Sequence, residues 1–166
     1  MAAPTAGLHF DESLLSDIEA KGVKIARVCL HVSFATFHPV RVDDFRDHVM
    51  HEEIFEVSSE AADMINNRKG RLFVVGTTSL KCIESAADEK GSVHPIKSAS
   101  QLFIYPGYQF RNKISGMITN FHLPKSTLLL LVSALIGREN LLSYYDAAKK
   151  NNYRFFSLGD AMLILV

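Results

Sequence analysis

Apolar and polar positions alternate along the chain between a helical rhythm and short strand-like runs. Leu14, Leu15 and Ile18 share one face behind Asp11 and ahead of Lys21-Gly22. That spacing predicts a helix over 11–21, opened by an Asp cap and closed by a left-handed Gly. The run VKIARVCLHV over 23–32 is dense in β-branched residues and predicts a buried strand. Pro39, Asp43, Asp44 and Asp47 break the pattern over 33–48, which reads as a loop with one short helical turn.

Further on, 53–57 predicts a short strand, and Ser58 or Ser59 caps a helix reaching about Arg68. Residues 71–75 read as a fully buried strand, and Gly76-Thr77-Thr78-Ser79 opens a helix carrying Leu80, Ile83 and Ala86. Polar residues with Gly91 and Pro95 predict a surface excursion over 89–100, before a strand over 101–105 that Pro106-Gly107 ends. A strand over 117–120, helices over 127–136 and 139–150, and strand-like runs over 155–157 and 161–166 complete the pattern. The alternation of helix and strand predicts α/β architecture, a three-layer α/β/α-type domain with a largely parallel sheet. No repeat or long linker divides it, so 1–166 is read as one domain.

Composition narrows the classes. The chain has 166 residues, 48% apolar and 22% charged, enough to bury a sizeable core. Lys plus Arg equals Asp plus Glu at 18 each, so no overall field marks a nucleic-acid or membrane binder. Nucleic-acid contact then requires a local patch, of which Lys149, Lys150 and Arg154 beside Tyr153, Phe155 and Phe156 is one candidate. The same charges would equally serve as a solvated face. Two cysteines, Cys29 and Cys82, form no disulfide framework, and the start Met1-Ala2-Ala3-Pro4 has no signal-peptide pattern. A cytoplasmic location is therefore expected. The apolar run 127–136 is about half of the roughly 20 residues that span a bilayer, so no membrane partner is expected.

Three polar constellations stand out. Thr5, Gly7 and His9 lie in a loop ahead of the first helix, where backbone N–H groups can hold a polar or anionic group. The plainer alternative is a turn shaped by Thr5 and Gly7 and capped by His9. Gly76, Thr77, Thr78 and Ser79 follow a strand and open a helix, the position at which open α/β sheets bind ligands. The Walker lysine is missing, so this is no P-loop; the hydroxyls either hold a carboxylate or cap the helix. Asn120 and His122 stand in Thr119-Asn120-Phe121-His122-Leu123-Pro124, a strand-to-helix turn whose mixed donors and acceptors suit a purine or ribose edge. Either residue could instead bond within its own turn. His48 and His51 are the best metal candidates, but the zincin spacing and a third ligand are missing, so no metal is expected.

In chain order, Ala3-Pro4-Thr5-Ala6-Gly7-Leu8-His9-Phe10, His31-Val32 with Thr36-Phe37-His38-Pro39-Val40, Met50-His51-Glu52-Glu53 and Val75-Gly76-Thr77-Thr78-Ser79 carry a further signal. So do Pro106-Gly107-Tyr108-Gln109-Phe110, Thr119-Asn120-Phe121-His122-Leu123-Pro124 and the run from Tyr153-Arg154-Phe155-Phe156-Ser157 to Met162. Together they resemble the S-adenosylmethionine:tRNA ribosyltransferase-isomerase (QueA) family over essentially the whole chain, as the C-terminal portion of its α/β domain. The resemblance implies that the family's inserted β-barrel lies outside this chain. It also implies an enzyme of queuosine synthesis that uses S-adenosylmethionine as a co-substrate, donating its ribosyl part. The acceptor it implies is 7-aminomethyl-7-deazaguanine at the tRNA wobble position, and the products are epoxyqueuosine in tRNA, adenine and methionine.

That chemistry needs a base near an acidified ribose carbon and a donor near the departing adenine. Under the resemblance, His9, His31, His51 and His122 form the acid/base pool. Thr5, Gly7, Gly76, Thr77, Thr78, Ser79, Tyr108, Asn120 and Arg154 form the substrate-binding set. The chain departs from the family pattern at Ser33-Phe34-Ala35, at Lys81 in place of an Arg, and at Ile114-Ser115. Met1 directly ahead of Ala2-Ala3-Pro4-Thr5 suggests a start inside a longer reading frame. Activity is accordingly expected to need the family's N-terminal half, the complete protein being a monomer. The alternative is a truncated or degenerate homologue, acting at most as a nucleotide- or tRNA-binding module.

Overall fold

The computed structural model describes residues 5–31 and 40–166. Ala3-Pro4, Val32, the Ser33-Phe34-Ala35 departure and Thr36-Phe37-His38-Pro39 lie outside the described residues.

Helix α1, Glu12–Ala20, forms where the periodicity predicts it. The Asp11 carboxylate accepts from the Leu14 N–H at 2.8 Å. At the other end Gly22 takes φ 80, and the N–H groups of Gly22 and Val23 bond back to Glu19 and Ile18, a paired closure that a left-handed Gly allows. None of its residues is buried. Strand β1 is Cys29–His31, much shorter than the predicted buried strand over 23–32, and it is exposed at two of its three positions. The reason lies in its partner. Strand β2, Glu53–Val57, pairs antiparallel with β1 only as far as Glu56 opposite Cys29, and Ser58 then caps helix α2, Ser59–Asn66. Among the described residues no strand is left for those before Cys29 to pair with, and Val23 is exposed. The helical turn expected within 33–48 is a single 3-10 turn, Phe45–Asp47.

Strand β3, Phe73–Val75, leads through Gly76 into helix α3, Thr77–Ala86. The helix packs on β1, β2 and β3 and is buried on most of its circumference, including the polar residues Lys81 and Glu84. Both charges are met inside. The Lys81 ammonium pairs with Glu53 on β2, and the Glu84 carboxylate accepts from the Tyr108 hydroxyl at 3.1 Å and from the N–H groups of Arg111 and Asn112.

Strand β4 is Ile96–Ser100, inside the stretch predicted as a surface excursion, while residues 101–105 make no strand. The polar sequence of β4 hides it because its contribution is main-chain pairing along an edge of β2. Strand β5, Gly116–Asn120, helix α4, Thr127–Ile136, helix α5, Arg138–Lys150, and strand β6, Ala161–Leu165, complete the chain. The strand-like run over 155–157 is a turn in which Phe156 takes φ 72.

The described residues form two three-stranded sheets, ordered β1-β2-β4 and β3-β5-β6. The mixed α/β class holds. The largely parallel sheet does not: among the described residues only β3 and β5 run parallel, and the other three strand pairings are antiparallel. Alternating elements imply crossovers only when successive strands join one sheet, and here β2 and β3 join different sheets. A continuous core around Leu80, Cys82, Met117, Leu131, Val132 and Ile164 ties both sheets to α3, α4 and α5.

Candidate functional site

The parallel strands β3 and β5 end side by side, with the Gly76 N–H donating to the Ile118 carbonyl at 2.8 Å beyond the last strand residue. Three connections meet there. Gly76 adopts φ 91, a left-handed value that only glycine accepts without strain, and it turns the chain into α3. No side chain caps that helix start; a Cβ at Gly76 would lie 3.5 Å from the Thr78 hydroxyl and 3.6 Å from Ala6. The Thr5–His9 turn therefore sits against Gly76, anchored by buried Ala6 and packed on β5. Thr5, Gly7, Gly76, Thr77, Thr78 and Ser79, remote in sequence, are thus grouped at one strand end.

Asn120 closes β5 at the same end and is 3% exposed. Its amide donates to the carbonyls of Phe156 (3.2 Å) and Gly159 (3.5 Å). Its Oδ1 has no partner among the described residues, an unsatisfied acceptor that costs stability unless something binds it. The receiving loop is tightly wound: a side chain at Gly159 would meet the Arg154 carbonyl at 2.5 Å. Asp160 accepts from the Arg154 N–H at 2.7 Å and from its guanidinium at 2.9 Å, and these bonds hold its carboxyl below the ordinary range. Arg154 is therefore engaged in closing its own loop. The exposed His9 lies near enough to Asp160 to contribute to that lowering.

His122 is buried one turn further on, its Nε2 2.9 Å from the Thr119 hydroxyl. Its main-chain N–H donates to the Tyr145 hydroxyl at 2.7 Å, and burial pushes that phenol up to about 12. Burial also pushes the His122 imidazole down to about 4, so the ring is neutral at physiological pH. A neutral imidazole is a hydrogen-bonding group and a weak base.

The remaining expected residues are placed elsewhere. His31 stands exposed at the end of β1, with its Nε2 3.9 Å from the Cys29 sulfur, and His51 is exposed just ahead of β2. His31 thus belongs to the antiparallel sheet, and His51 to the segment that leads into it. Burial, and secondarily the charge of His51, lower the neighbouring His48. Tyr108 donates to Glu84, and burial first, then that carboxylate, push its phenol up to about 12. This role is structural. No three His, Cys, Asp or Glu side chains gather at metal-binding distance among the described residues. No single helix among them is long and apolar enough to cross a membrane.

Sequence reasoning passed over Tyr145 and Glu84, and took Asp160 only as part of the run that ends at Met162. Asp160 could have been found from its place six residues after Arg154 in a Gly-containing turn, whereas Tyr145 lies on an ordinary amphipathic helix and gives no such signal.

The comparisons agree with this architecture. Over residues 1–164 the chain matches the family described as queuosine biosynthesis protein. It is 54% identical to the S-adenosylmethionine:tRNA ribosyltransferase-isomerase of Desulforamulus reducens, over 99% of this chain and 49% of that protein. With the enzyme of the same name from Zymomonas mobilis it shares 55% identity, over 99% and 49% of the two chains. The crystal structure of the S-adenosylmethionine tRNA ribosyltransferase of Thermotoga maritima superposes with a TM-score of 0.72 at 38% identity, covering 97% of this chain and 51% of that one. The chain spans about half the length of the curated relatives it matches, and by sequence and fold together it belongs to the queuosine biosynthesis protein family.

Proposed function

We propose that the chain supplies one half of a tRNA-modifying transferase that moves and isomerises the ribosyl part of S-adenosylmethionine onto 7-aminomethyl-7-deazaguanine at the wobble position. Epoxyqueuosine in tRNA, adenine and methionine are the products. The observation that carries this reading is the meeting of the Thr5–His9 turn, the uncapped start of α3 and Asn120 at the shared end of β3 and β5. Relatives named for that reaction support it. In this reading the free N–H groups and hydroxyls of Thr77, Thr78 and Ser79 receive the carboxylate of the methionyl part. The Asn120 Oδ1 accepts from an amino or hydroxyl group of the nucleoside part. His9 is the accessible candidate for moving a proton, and neutral His122 orders the turn beneath.

The test combines the chain with the half of the D. reducens relative that it does not match, and follows adenine release from S-adenosylmethionine with tRNA carrying the acceptor base. Release is expected only with both pieces, and Asn120→Ala should reduce it at least tenfold. An undiminished rate for that variant would remove Asn120 from the site. Retained S-adenosylmethionine binding without any adenine release by the combined halves would favour a binding module over an enzyme.

A further inference from the structure

Two long stretches of the chain hold no acidic residue, one between Asp63 and Glu84 and the other between Glu89 and Glu139. The fold brings their cations together. Phe73 pairs with Gly116 and the Ser115 N–H donates to the Leu72 carbonyl at 2.7 Å, so the segments leading into β3 and β5 run side by side. Arg68 ties them further, its guanidinium donating to the Ile65 carbonyl at 2.6 Å and to the Lys113 carbonyl at 3.2 Å. Arg71 lies with its guanidinium 5.2 Å from the centre of the Phe73 ring, and Arg111 donates to the Ala87 carbonyl at 2.9 Å. Arg68, Lys69, Arg71, Arg111 and Lys113 thus gather where β3 and β5 begin, at the opposite end of these strands from the candidate site.

None of the five is in an ion pair among the described residues, and all but the half-buried Arg68 are exposed. Arg68 and Arg111 have a structural task, since they meet carbonyls at the C-terminal ends of α2 and α3, where negative partial charge collects. Most of their N–H donors remain unused by it. Lys69 and Lys113 have no side-chain partner among the described residues, and nothing lies within 4 Å of where a Cβ on Gly70 would stand, so the approach is open. The basic cluster over 149–154 is different: Lys149 pairs with Asp146 at 2.6 Å and Arg154 with Asp160 at 2.9 Å. In a chain of zero net charge, five cations without carboxylate partners on one surface are a local field.

We propose that this surface docks the sugar-phosphate backbone of tRNA away from the base that reacts. This deepens the reading under Proposed function, on which it rests for a polyanionic partner. Charge complementarity argues for that occupant: guanidinium groups take phosphate oxygens in a fork, and Arg68 and Arg111, already fixed by main-chain carbonyls, lose little freedom in doing so. Position argues for it too. Arg71 stands five residues before Gly76, a distance of about 16 Å along extended chain. Phosphates held there belong to nucleotides beyond the reacting one, so the surface supplies affinity and register and leaves the choice of base to the site.

The experiment measures binding of tRNA carrying the acceptor base to the full chain by filter retention across a series of salt concentrations. Arg71→Ala combined with Lys113→Ala should weaken binding at least tenfold and lower the slope of log affinity against log salt by roughly 1.5. Lys149→Ala combined with Lys150→Ala, which removes as many charges, should leave both unchanged. Arg71→Lys combined with Lys113→Arg keeps the charges and should retain the wild-type slope. Absence of tRNA binding, a slope that Arg71→Ala with Lys113→Ala does not lower, or an equal loss in the Lys149 and Lys150 variant would overturn the assignment. So would failure of the charge-keeping variant, since the two residues would then hold the fold and not the RNA. Retention of the chain by phosphatidylserine vesicles with tRNA left unbound would make the surface a membrane contact and overturn it as well. Binding is read without turnover, so tRNA held as expected without adenine release counts against the proposed reaction alone.

Discussion

The two sheets have the same number of strands and treat their outer faces in opposite ways. On β1-β2-β4 the register places Cys29, Glu56 and Lys97 in one outward row and His31, Ile54 and Ala99 in the next, with Glu56 and Lys97 ion-paired at 3.2 Å. That face is mixed and suits water. On β3-β5-β6 the corresponding rows hold Val75, Ile118, Leu163, Phe73 and Leu165. The inner faces reverse the contrast: the first sheet sends the Glu53 carboxylate inward to Lys81, while the second packs Val74, Met117 and Ile164. In those rows Val75 and Ile118 are half-buried while Phe73, Leu163 and Leu165 stay exposed, so the second sheet is apolar on both faces although only one is fully buried.

The comparison can be broken at its charged point first. Glu53→Ala strands the Lys81 ammonium in the core and should cost about 3–5 kcal/mol, read as a lowered urea midpoint. An effect no larger than that of an exposed substitution would mean that the first sheet does not depend on its buried charge.

The turn that follows β5 should respond to acid instead. Unfolded His122 titrates near its ordinary value, whereas the folded ring is held down to about 4 by burial. As pH falls between those values the unfolded state takes up the proton first, so the stability present above about 6.5 is progressively lost and the loss is complete below about 4. The loss attributable to this ring is up to about 3 kcal/mol. Urea unfolding followed from pH 7 to 4 should show it, and His122→Gln should flatten the slope. A profile identical in the variant would move the acid sensitivity to another group.

The smallest effect is the sharpest discriminator. Leu163→Lys and Ile54→Lys should each change the stability of the chain by less than about 0.5 kcal/mol, because both side chains are exposed. A larger loss for Leu163→Lys alone would show that its row is packed within this chain and not open.

Legibility in the sequence followed the range of the interactions involved. Helices α1, α2, α3 and α4 are recovered within a residue or two because caps such as Asp11, Ser58 and Ser126 and the closing Gly22 act within a single turn. Strands were read less well. Residues 23–28 have the composition of a strand but no partner strand among the described residues, and 96–100 have a partner but not the composition.

By itself, then, the sequence determined the α/β class, the helix limits, the family and the motif residues Gly76–Ser79 and Asn120, all of which depend on local spacing or on residue types that survive as short runs. Tertiary structure alone decided that Thr5, Gly76 and Asn120 share one strand end while His31 lies on the other sheet and His51 just ahead of it, that Tyr108 and Arg154 are engaged by Glu84 and Asp160, and that Phe73, Leu163 and Leu165 are left exposed on one sheet face. Those outcomes depend on which strands pair and in what register. Pairing is a contest between distant segments, and a side chain's neighbours across a sheet leave no periodic trace in its own stretch of chain.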